Sequence, residues 1–326
     1  MNPGEHLVEL ARQNVSYDEF CQEARDIERK DATSWPVALN FQHPEENNVP
    51  ALSFFIRKQR SDLVRFYLQE GCDVELMDLR HVGALGVASI FGDQESVQLL
   101  VEYQTNANTK CALGCSNLLF AVHLQHIEAV KYLVEQGKAS VSERDRNGCG
   151  PLLIASMVGS LPIAKYLLTH TNVSISDRHV NGWSAIVFAA YHGTLDLVMY
   201  LDSVLRNNGH ANYTSLSLDI QQDYNQCLVL AAKCGYLFMV KFLVDTVKVT
   251  VDARDSSLNT PLICSSVAGH ENIVSYLLQQ EADVNKVNAD GDTALMLAVR
   301  RGYLPIVKLL LEGAGMVGVG RRVGVE

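Results

Sequence analysis

The chain has 326 residues, a formal net charge of −10 at pH 7 and 48% hydrophobic residues. The negative charge argues against nucleic acid or an anionic membrane as the main ligand, because phosphate binding draws on clustered Lys and Arg. No uninterrupted apolar stretch approaches the ~18 residues of a membrane span, and the N-terminus, MNPGEHLVEL, lacks the apolar segment of a signal peptide. We therefore expect no membrane insertion and an intracellular, cytoplasmic location.

Residues 1–48 predict an N-terminal helical cap that ends in an irregular connector. Leu7 and Leu10 indicate a short first helix, and Ser16–Glu19 has the spacing of a capping box that begins a second helix. The segment Trp35–Asn48 contains two prolines and predicts the connector. The two helices either cover the exposed end of the region that follows or form a separate recruitment motif.

From residue 49 to residue 315 the same pattern returns eight times. Each copy opens its first helix at an equivalent position: Pro50, Gly83, Ser116, Gly150, Ser184, Gln226, Thr260 and Thr293. The steps between these positions are 33, 33, 34, 34, 42, 34 and 33 residues. A period of this size is typical of stacked supersecondary units, each of which buries its apolar face only against the next.

The seventh copy shows the unit clearly. Thr260 supplies a hydroxyl N-cap before Pro261, which sits at the first helical position, where a missing N–H costs little. Gly269 ends this short helix, because glycine tolerates the positive φ of a tight reversal. An apolar stripe then predicts a second, longer helix, and its residues are Ile273, Val274, Leu277 and Leu278.

These residues resemble the ankyrin repeat over residues 49–315. The core leucine of that motif is matched by Leu52, Leu85, Leu118, Leu152, Ile186, Leu228, Leu262 and Leu295. The resemblance implies an all-α solenoid of helix-turn-helix repeats with β-turn fingers. The histidine that follows the core leucine in this family is absent from every copy. Because that histidine ties neighbouring fingers together by hydrogen bonds, we expect the fingers here to be held by packing. Gln59 and Gln125 replace the reversal glycine in copies one and three.

Two segments interrupt the regular pattern. The 42-residue step places an insertion at residues 205–215, and the turn-forming residues Arg206–His210 predict a protruding loop that is either a spacer or a contact. Residues 316–326 are rich in Gly and Val and show no helical pattern, which predicts a flexible tail. The tail is either a degenerate end of the array or a sign that the natural protein continues beyond Glu326.

The sequence offers no catalytic motif. It contains no Gly-rich phosphate loop, no Gly-x-Ser-x-Gly elbow and no His-Glu-x-x-His helix. Its eight cysteines include no CxxC pair, which favours free buried thiols over disulfides or a metal site. We therefore expect a protein that is not an enzyme and has no cofactor, no metal and no small-molecule substrate.

The resemblance also implies where a partner protein binds, because finger tips and the ends of the first helices line a concave groove in this family. The fingers offer Arg80, His81, Arg146, Asn147, Trp183, Tyr224, Asp290 and Asp292. The helix ends offer Ile90, Phe91, His123, Leu124, Met157, Tyr191, His192, Lys233, Arg300 and Arg301. We expect Trp183, Tyr191 and Tyr224 to be the anchors, since Trp and Tyr give large contact area at small entropic cost. The alternative is that each ring packs on its neighbouring repeat.

Two asparagines match the pattern that asparaginyl hydroxylase modifies in ankyrin proteins. Asn285 follows Leu277 by eight residues, and Asn108 follows Leu100 by the same interval. The resemblance implies hydroxylation at these positions, while the alternative role is that of structural turn residues.

Three functions fit these observations. The first is a non-catalytic scaffold or adaptor whose groove holds another protein, which we expect. The second is a targeting or substrate-recruiting module of a larger enzyme or receptor. The third is an effector of an intracellular bacterium, delivered to a host cell, that engages host proteins.

Overall fold

A computed structural model describes residues 2–13, 15–30, 33–44, 47–207, 213 and 216–320, with the backbone alone described at 207 and 314–320. The chain divides into two compact units, Met1–Ser174 and Ile175–Glu326. Each unit is built from antiparallel helix pairs, and the apolar core of a unit lies between successive pairs.

Three helices precede the repeats of unit 1: α1 (Pro3–Arg12), α2 (Tyr17–Lys30) and α3 (Trp35–Leu39). A short antiparallel pair then joins β1 (Gln42–His43) to β2 (Val49–Pro50). The segment that we expected to be an irregular connector therefore contains regular structure, because Pro36 suits the first turn of α3. Phe20 of α2 is fully buried, and its ring lies 5.8 Å from that of Phe55 in the first repeat. The N-terminal helices thus pack on the first repeat.

Unit 1 contains four repeats. Their first helices are α4 (Ala51–Arg57), α6 (Ala84–Phe91), α8 (Asn117–His123) and α10 (Pro151–Met157). Their second helices are α5 (Ser61–Gln69), α7 (Gln94–Glu102), α9 (Ile127–Glu135) and α11 (Leu161–His170). Every first helix begins one residue after its predicted opening position. Gln59 and Gln125 adopt the left-handed conformation that glycine adopts elsewhere, with φ of 54° and 63°, so the predicted register also holds there.

Unit 2 contains α12 (Ala185–Tyr191), α13 (Leu195–Asn207), α14 (Leu218–Cys234), α15 (Leu237–Lys241), α16 (Pro261–Ala268), α17 (Glu271–Gln279), α18 (Ala294–Arg301) and α19 (Leu304–Gly320). Helix α15 continues as a π-helical segment over Phe242–Val247. The predicted N-cap is confirmed, because Thr260 Oγ1 accepts a hydrogen bond from Ile263 N at 3.3 Å. Thr293 Oγ1 caps α18 in the same way, accepting from Met296 N at 3.2 Å.

Helix α14 begins earlier than the repeat predicts. Gln226 was expected to open the helix, yet it lies in the middle of α14, which starts at Leu218. The reason is an apolar stripe that continues backwards from Cys227 through Tyr224 to Ile220, at helical spacing. The residues from Leu218 to Asn225 therefore extend this helix towards its N-terminus.

The predicted insertion and tail are partly outside the described residues. Within 205–215, the structure describes 205–207, the end of α13, and Tyr213, whose hydroxyl donates to Asn225 Oδ1 at 2.7 Å. The loop predicted at Arg206–His210 is wrong for Arg206 and Asn207, which belong to α13, and its remaining residues lie outside the described residues. The prediction of a non-helical tail from residue 316 is wrong for residues 316–320, which belong to α19. Each added residue gains a helical hydrogen bond, which offsets the low helix propensity of glycine.

Candidate functional site

The fingers, which are the turns leading into the first helices, share one acceptor position. Five residues before a helix opener, a side-chain oxygen accepts hydrogen bonds from the backbone N–H groups two and four residues later. Asp145 Oδ1 accepts from Asn147 N at 2.9 Å and from Cys149 N at 2.8 Å. The same pair of bonds is made by Asp78, Asp255 and Asn288. This Asx-type turn fixes the shape of these four finger tips.

Neighbouring fingers are joined by backbone hydrogen bonds. In unit 1, Leu79 N donates to Asn47 O at 2.9 Å and Ala112 N donates to Arg80 O at 2.8 Å. In unit 2, Ala289 N donates to Ser257 O at 3.0 Å. The expectation that packing holds the fingers together is therefore wrong at these joins. The bonds use main-chain atoms, so they form without the histidine of the family motif.

Two exposed fingers of unit 1 carry the predicted basic contacts. Arg80 and His81 lie at one tip, and the guanidinium of Arg80 donates to Oδ2 of Asp78 from Nε at 3.1 Å and from Nη2 at 2.9 Å. Arg146 and Asn147 are exposed at another tip. The buried Asp78 carboxylate thus orients Arg80, while the predicted side chains of both tips remain open to solvent.

The first-helix ends of unit 1 form a partly apolar surface. Phe91 and Leu124 keep 44% and 42% of their surface exposed, so both side chains are accessible to a partner. His123 is exposed beside Leu124. The two other predicted residues are half-buried: Ile90 and Met157. Unit 1 therefore places the predicted helix-end residues at the surface to differing extents.

An aromatic cluster occupies the fifth repeat, in unit 2, and consists of His179, Trp183, Phe188, Tyr191 and His192. The Trp183 ring lies 5.2 Å from the buried Phe188 ring and 5.4 Å from that of Tyr191. Tyr191 in turn lies 5.2 Å from His192, and His179 lies 5.6 Å from Phe188. Trp183 is half-buried and Tyr191 is 45% exposed. These ring contacts lie within one repeat, and they pre-organise an exposed aromatic surface.

Tyr224, the third predicted anchor, is not at the surface. It is fully buried in α14, and its hydroxyl donates to Asp202 Oδ1 of α13 at 2.7 Å. Burial raises the pKa of Tyr224 far above its usual range, and the hydrogen bond to Asp202 raises it further. Arg206 Nε donates to the same Asp202 oxygen at 2.8 Å. The residue was predicted on a finger, and the early start of α14 places it in the core instead.

An ion pair that the sequence analysis did not identify joins the fifth finger to α14. Arg178 donates from Nη1 to Asp223 Oδ1 at 2.9 Å and from Nη2 to Oδ2 at 3.1 Å. Nη1 also donates to Gly182 O at 2.9 Å. The repeat pattern gives no signal for this pair, because Asp223 belongs to the extension that departs from it.

The last repeat carries the remaining charged candidates. Arg300 and Asp292 form two hydrogen bonds of 3.0 Å along one side of α18. Asp290 and Arg301 are exposed near opposite ends of the same helix. The last predicted residue, Lys233, is exposed at the end of α14, where its carbonyl oxygen lies 3.0 Å from His270 Nε2.

The two asparagines of the predicted hydroxylation occupy equivalent turns. Both side chains are exposed. Asn108 N donates to Asn106 Oδ1 at 2.9 Å, and Asn285 N donates to Asp283 Oδ1 at 3.0 Å. Asn108 Oδ1 also accepts from Ser140 N at 2.7 Å, which joins this turn to the next one. A structural turn role is therefore visible, and hydroxylation stays a prediction.

The cysteine thiols are free at all eight positions. Cys227 is fully buried, and burial raises its thiol pKa well above the usual value. Burial likewise raises the pKa of Cys115 and of Cys149, to about 11 in each case. Because the thiolate is the nucleophile, these thiols are poorly suited to nucleophilic attack near neutral pH.

The described residues contain neither a metal-binding cluster nor a helix that could span a membrane. No three His, Cys, Asp or Glu side chains there are grouped so that they could hold a metal ion. None of the helices in the described part of the chain combines the length and apolar character needed to cross a bilayer.

Comparison with known proteins identifies the repeat. A family model described as ankyrin repeats (3 copies) matches six overlapping segments: residues 52–145, 85–178, 121–208, 152–255, 202–288 and 228–317. The chain is 35% identical over 98 residues to the ankyrin repeat and KH domain-containing protein mask-1 of Caenorhabditis elegans, a match that covers 29% of the chain and 4% of that protein.

Two further relatives are an E3 ubiquitin-protein ligase and a cation channel. The match to the E3 ubiquitin-protein ligase XBAT33 of Arabidopsis thaliana is 40% identical over 85 residues, covering 26% of the chain and 17% of that protein. The match to the transient receptor potential cation channel subfamily A member 1 of Drosophila melanogaster is 29% identical over 103 residues, covering 30% of the chain and 9% of that protein. The chain thus spans less than a fifth of these three relatives. Its repeats imply protein–protein interaction, and the chain belongs to the ankyrin repeat family.

Proposed function

We propose that this chain is a non-catalytic scaffold or adaptor that binds a partner protein through its finger tips and first-helix ends. The observation that carries the proposal is the aromatic cluster of the fifth repeat. Trp183 and Tyr191 offer exposed ring surface. The Trp183 ring packs on the buried Phe188 ring at 5.2 Å, and the Tyr191 ring packs on that of Trp183 at 5.4 Å. Rigid aromatic side chains lose little entropy on binding, so they commonly dominate the energy of an interface.

The chemistry of the cluster favours an apolar segment of a partner protein. His192 is exposed beside Tyr191, where its ring nitrogens can hydrogen-bond to a partner backbone. His179 lies beside Phe188, and its Nδ1 accepts from Asn181 N at 3.2 Å. This arrangement of an apolar centre with polar margins is the usual anatomy of a protein interface. Free thiols at all cysteine positions fit a partner inside a reducing compartment, which supports an intracellular location.

The proposal is tested with Trp183→Ala combined with Tyr191→Ala. Affinity-tagged wild-type and variant proteins are used to capture partners from lysate, and captured proteins are quantified by mass spectrometry. We expect the double variant to lose the specific partners that wild type retains. Phe238→Ala is the matched control, because Phe238 is 75% exposed on α15, a second helix. It removes a large exposed ring outside the proposed contact surface.

Unfolding measurements separate binding from stability. Both rings are at least partly exposed, so the double variant should lose less stability than the ~3–5 kcal/mol of a buried aromatic truncation. If the double variant captured the same proteins as wild type, the aromatic cluster would not be the binding site. A loss of stability as large as that of a core truncation would instead identify Trp183 as a packing residue.

A second candidate is a targeting module within a longer protein. The observation that favours it is the set of relatives, in which similarity to this chain covers a small part of an E3 ubiquitin-protein ligase and of a cation channel. The sequence of the full reading frame tests this candidate. A catalytic or channel-forming region in the same frame would support it, and a frame that matches the present chain would exclude it.

A further inference from the structure

Two cysteines, Cys111 and Cys115, close the third finger, which leads into α8 in unit 1. Cys111 N donates to Cys115 O at 3.0 Å, and Gly114 N donates to Cys111 O at 2.9 Å. The flanking residues Lys110 and Ser116 form an antiparallel bridge. Cys111 and Cys115 are therefore the two ends of a three-residue turn, and they face each other across it.

The spacing of the two cysteines suits a disulfide. Facing residues of an antiparallel pair that are joined by backbone hydrogen bonds have Cα atoms about 5.5 Å apart, and disulfides span Cα separations of about 4.4–6.8 Å. The side chains agree with this spacing, because the two thiols hydrogen-bond to each other. Both side chains are half-buried, so small molecules can reach them. The two thiols thus form an accessible pair within one turn.

Cys111 stands where four other fingers have an oxygen acceptor. The equivalent residues are Asp78, Asp145, Asp255 and Asn288. In the third finger a sulfur replaces that oxygen, and Cys111 Sγ accepts from Leu113 N at 3.3 Å. A thiol sulfur is a weaker acceptor than a carboxylate or amide oxygen. The third tip is therefore held less firmly by its side chain, and it can adapt to a bond between the two sulfur atoms.

The two thiols have different surroundings. The N–H of Leu113 donates to the Cys111 sulfur, and such a hydrogen bond favours the thiolate. At Cys115, burial raises the pKa to about 11, with smaller contributions from the Cys111 thiol and the Asp145 carboxylate. Because the thiolate is the reactive form, Cys111 is suited to the first nucleophilic attack and Cys115 to the second step.

We infer that Cys111 and Cys115 are a modification site, which hydrogen peroxide oxidises to a reversible disulfide. The Cys111 thiolate attacks one peroxide oxygen, so that a sulfur–oxygen bond forms and the oxygen–oxygen bond breaks. The second oxygen leaves as water with the proton that Cys111 released. Cys115 Sγ then attacks the sulfenic sulfur, the disulfide bond forms, and the sulfur–oxygen bond breaks. The departing hydroxide takes the Cys115 proton and leaves as water.

The electrons balance in this sequence. The two thiols together lose two electrons, and one hydrogen peroxide molecule is reduced to two molecules of water. A dithiol reductant such as dithiothreitol restores both thiols by thiol–disulfide exchange. The reaction is independent of the proposed scaffold function.

The first test treats the reduced full chain with hydrogen peroxide, blocks the remaining thiols with iodoacetamide and maps unreduced tryptic peptides by mass spectrometry. Cleavage after Lys110 and Lys131 gives a peptide that contains Cys111 and Cys115 and no other cysteine. We expect this peptide to lose two hydrogen atoms and to escape alkylation, and dithiothreitol to restore both thiols. A peptide alkylated on both cysteines, or oxidised to sulfinic acid without the disulfide, would overturn the inference.

Single serine variants separate the roles of the two thiols. Cys115→Ser should leave a sulfenic acid on Cys111, which dimedone traps. Cys111→Ser should react with peroxide at least about tenfold more slowly, because burial keeps the Cys115 thiol protonated. If both variants reacted at the same rate, Cys111 would not be the attacking thiol.

Cys149→Ser is the matched control. Cys149 occupies the position of Cys115 in the fourth finger, is buried, and donates from Sγ to Met157 Sδ at 3.8 Å. Its replacement should leave the yield of the disulfide unchanged. A yield that fell in this variant would show that Cys149 is the partner thiol, and it would overturn the pairing across the third finger.

Discussion

A single side-chain oxygen organises each of four fingers. Asp78, Asp145, Asp255 and Asn288 occupy the same repeat position and accept two backbone N–H groups each. Asn288 performs this role without a negative charge, so the geometry of the acceptor matters more than its ionisation. The finger tips that we propose as contacts thus have a defined shape before any partner binds.

Asp145 provides a test with a conservative control. Asp145→Ala removes the acceptor of Asn147 N and of Cys149 N, and Cys149 is buried. Leaving such donors unpaired costs about 1–3 kcal/mol, so we expect a loss of that size in the free energy of unfolding measured with urea. Asp145→Asn keeps an acceptor oxygen in place, so its free energy of unfolding should fall much less. Equal losses for the two variants would show that the charge, and not the acceptor geometry, stabilises the finger.

Imidazole rings connect the helix pairs of successive repeats. His126 Nε2 lies 3.1 Å from Ile90 O, and His270 Nε2 lies 3.0 Å from Lys233 O, so each ring bonds a carbonyl near the end of the preceding first helix. Each ring also covers the reversal glycine of that preceding repeat, Gly92 or Gly235. The glycine is needed there because the ring leaves no room for a Cβ.

Two reversal glycines form a matched pair for testing this contact. Both have positive φ, +86° at Gly235 and +75° at Gly302. A Cβ added at Gly235 would lie 2.8 Å from His270 Cε1, whereas one at Gly302 would meet no described atom within 4 Å. Gly302→Ala should lower the free energy of unfolding by only ~1–2 kcal/mol, the cost of placing an alanine in the left-handed conformation. Gly235→Ala should cost about 1–3 kcal/mol more in urea unfolding, because the ring must move. Equal costs would mean that the ring adapts without loss.

The early start of α14 changes how the fifth finger is held. Three pairs of neighbouring fingers are joined by backbone hydrogen bonds, whereas the fifth finger is joined to α14 by a side chain. Arg178 instead reaches Asp223 on that helix with two hydrogen bonds, and Gly182 O accepts a third from the same side chain. The aromatic cluster therefore stands on a finger that is fixed by a paired charge, which supports its proposed role as a rigid contact surface.

Buried phenols and thiols are distributed along both units, and burial raises their pKa values. Burial raises the pKa of Cys149 from 9.0 to about 11 and that of Cys264 from 9.0 to about 12. Burial and then a hydrogen bond to Glu135 raise the pKa of Tyr166 from 10.0 to about 12. The pKa values of Tyr67 and Tyr224 are raised further still by burial. The folded chain therefore retains these protons at a pH where the unfolded chain releases them.

This difference predicts alkaline instability. Since the folded-state pKa values are the higher ones, their contribution to stability is complete below pH 9.0 and is lost as pH rises towards about 12. We expect the urea midpoint to be constant between about pH 7 and pH 8 and to fall steadily above about pH 9. The neutral plateau is the internal control. A midpoint that stayed constant to about pH 11 would contradict the burial of these groups.

The repeat period was sufficient to predict most of the helices, because each repeat contacts only its neighbours and the pattern of one unit recurs in the next. The openers of seven first helices, the Thr260 cap and the left-handed Gln59 and Gln125 follow from that pattern alone. The exposed position of Tyr191 at a first-helix end could be anticipated in the same way, whereas Trp183 is half-buried. These features depend on spacing along the chain, which the residues encode locally.

Contacts between elements determined the features that the repeat pattern did not predict. Tyr224 has the same ring chemistry as Tyr191, yet the extension of α14 against α13 buries it beside Asp202. The bonds between fingers use backbone atoms that no side-chain motif reveals. Met296 and Val299 match positions that are buried in seven other repeats, and only the absence of a described helix over α18 exposes them. The spacing of apolar residues in the sequence specifies which face of a helix is apolar, whereas burial requires a second element to pack on that face.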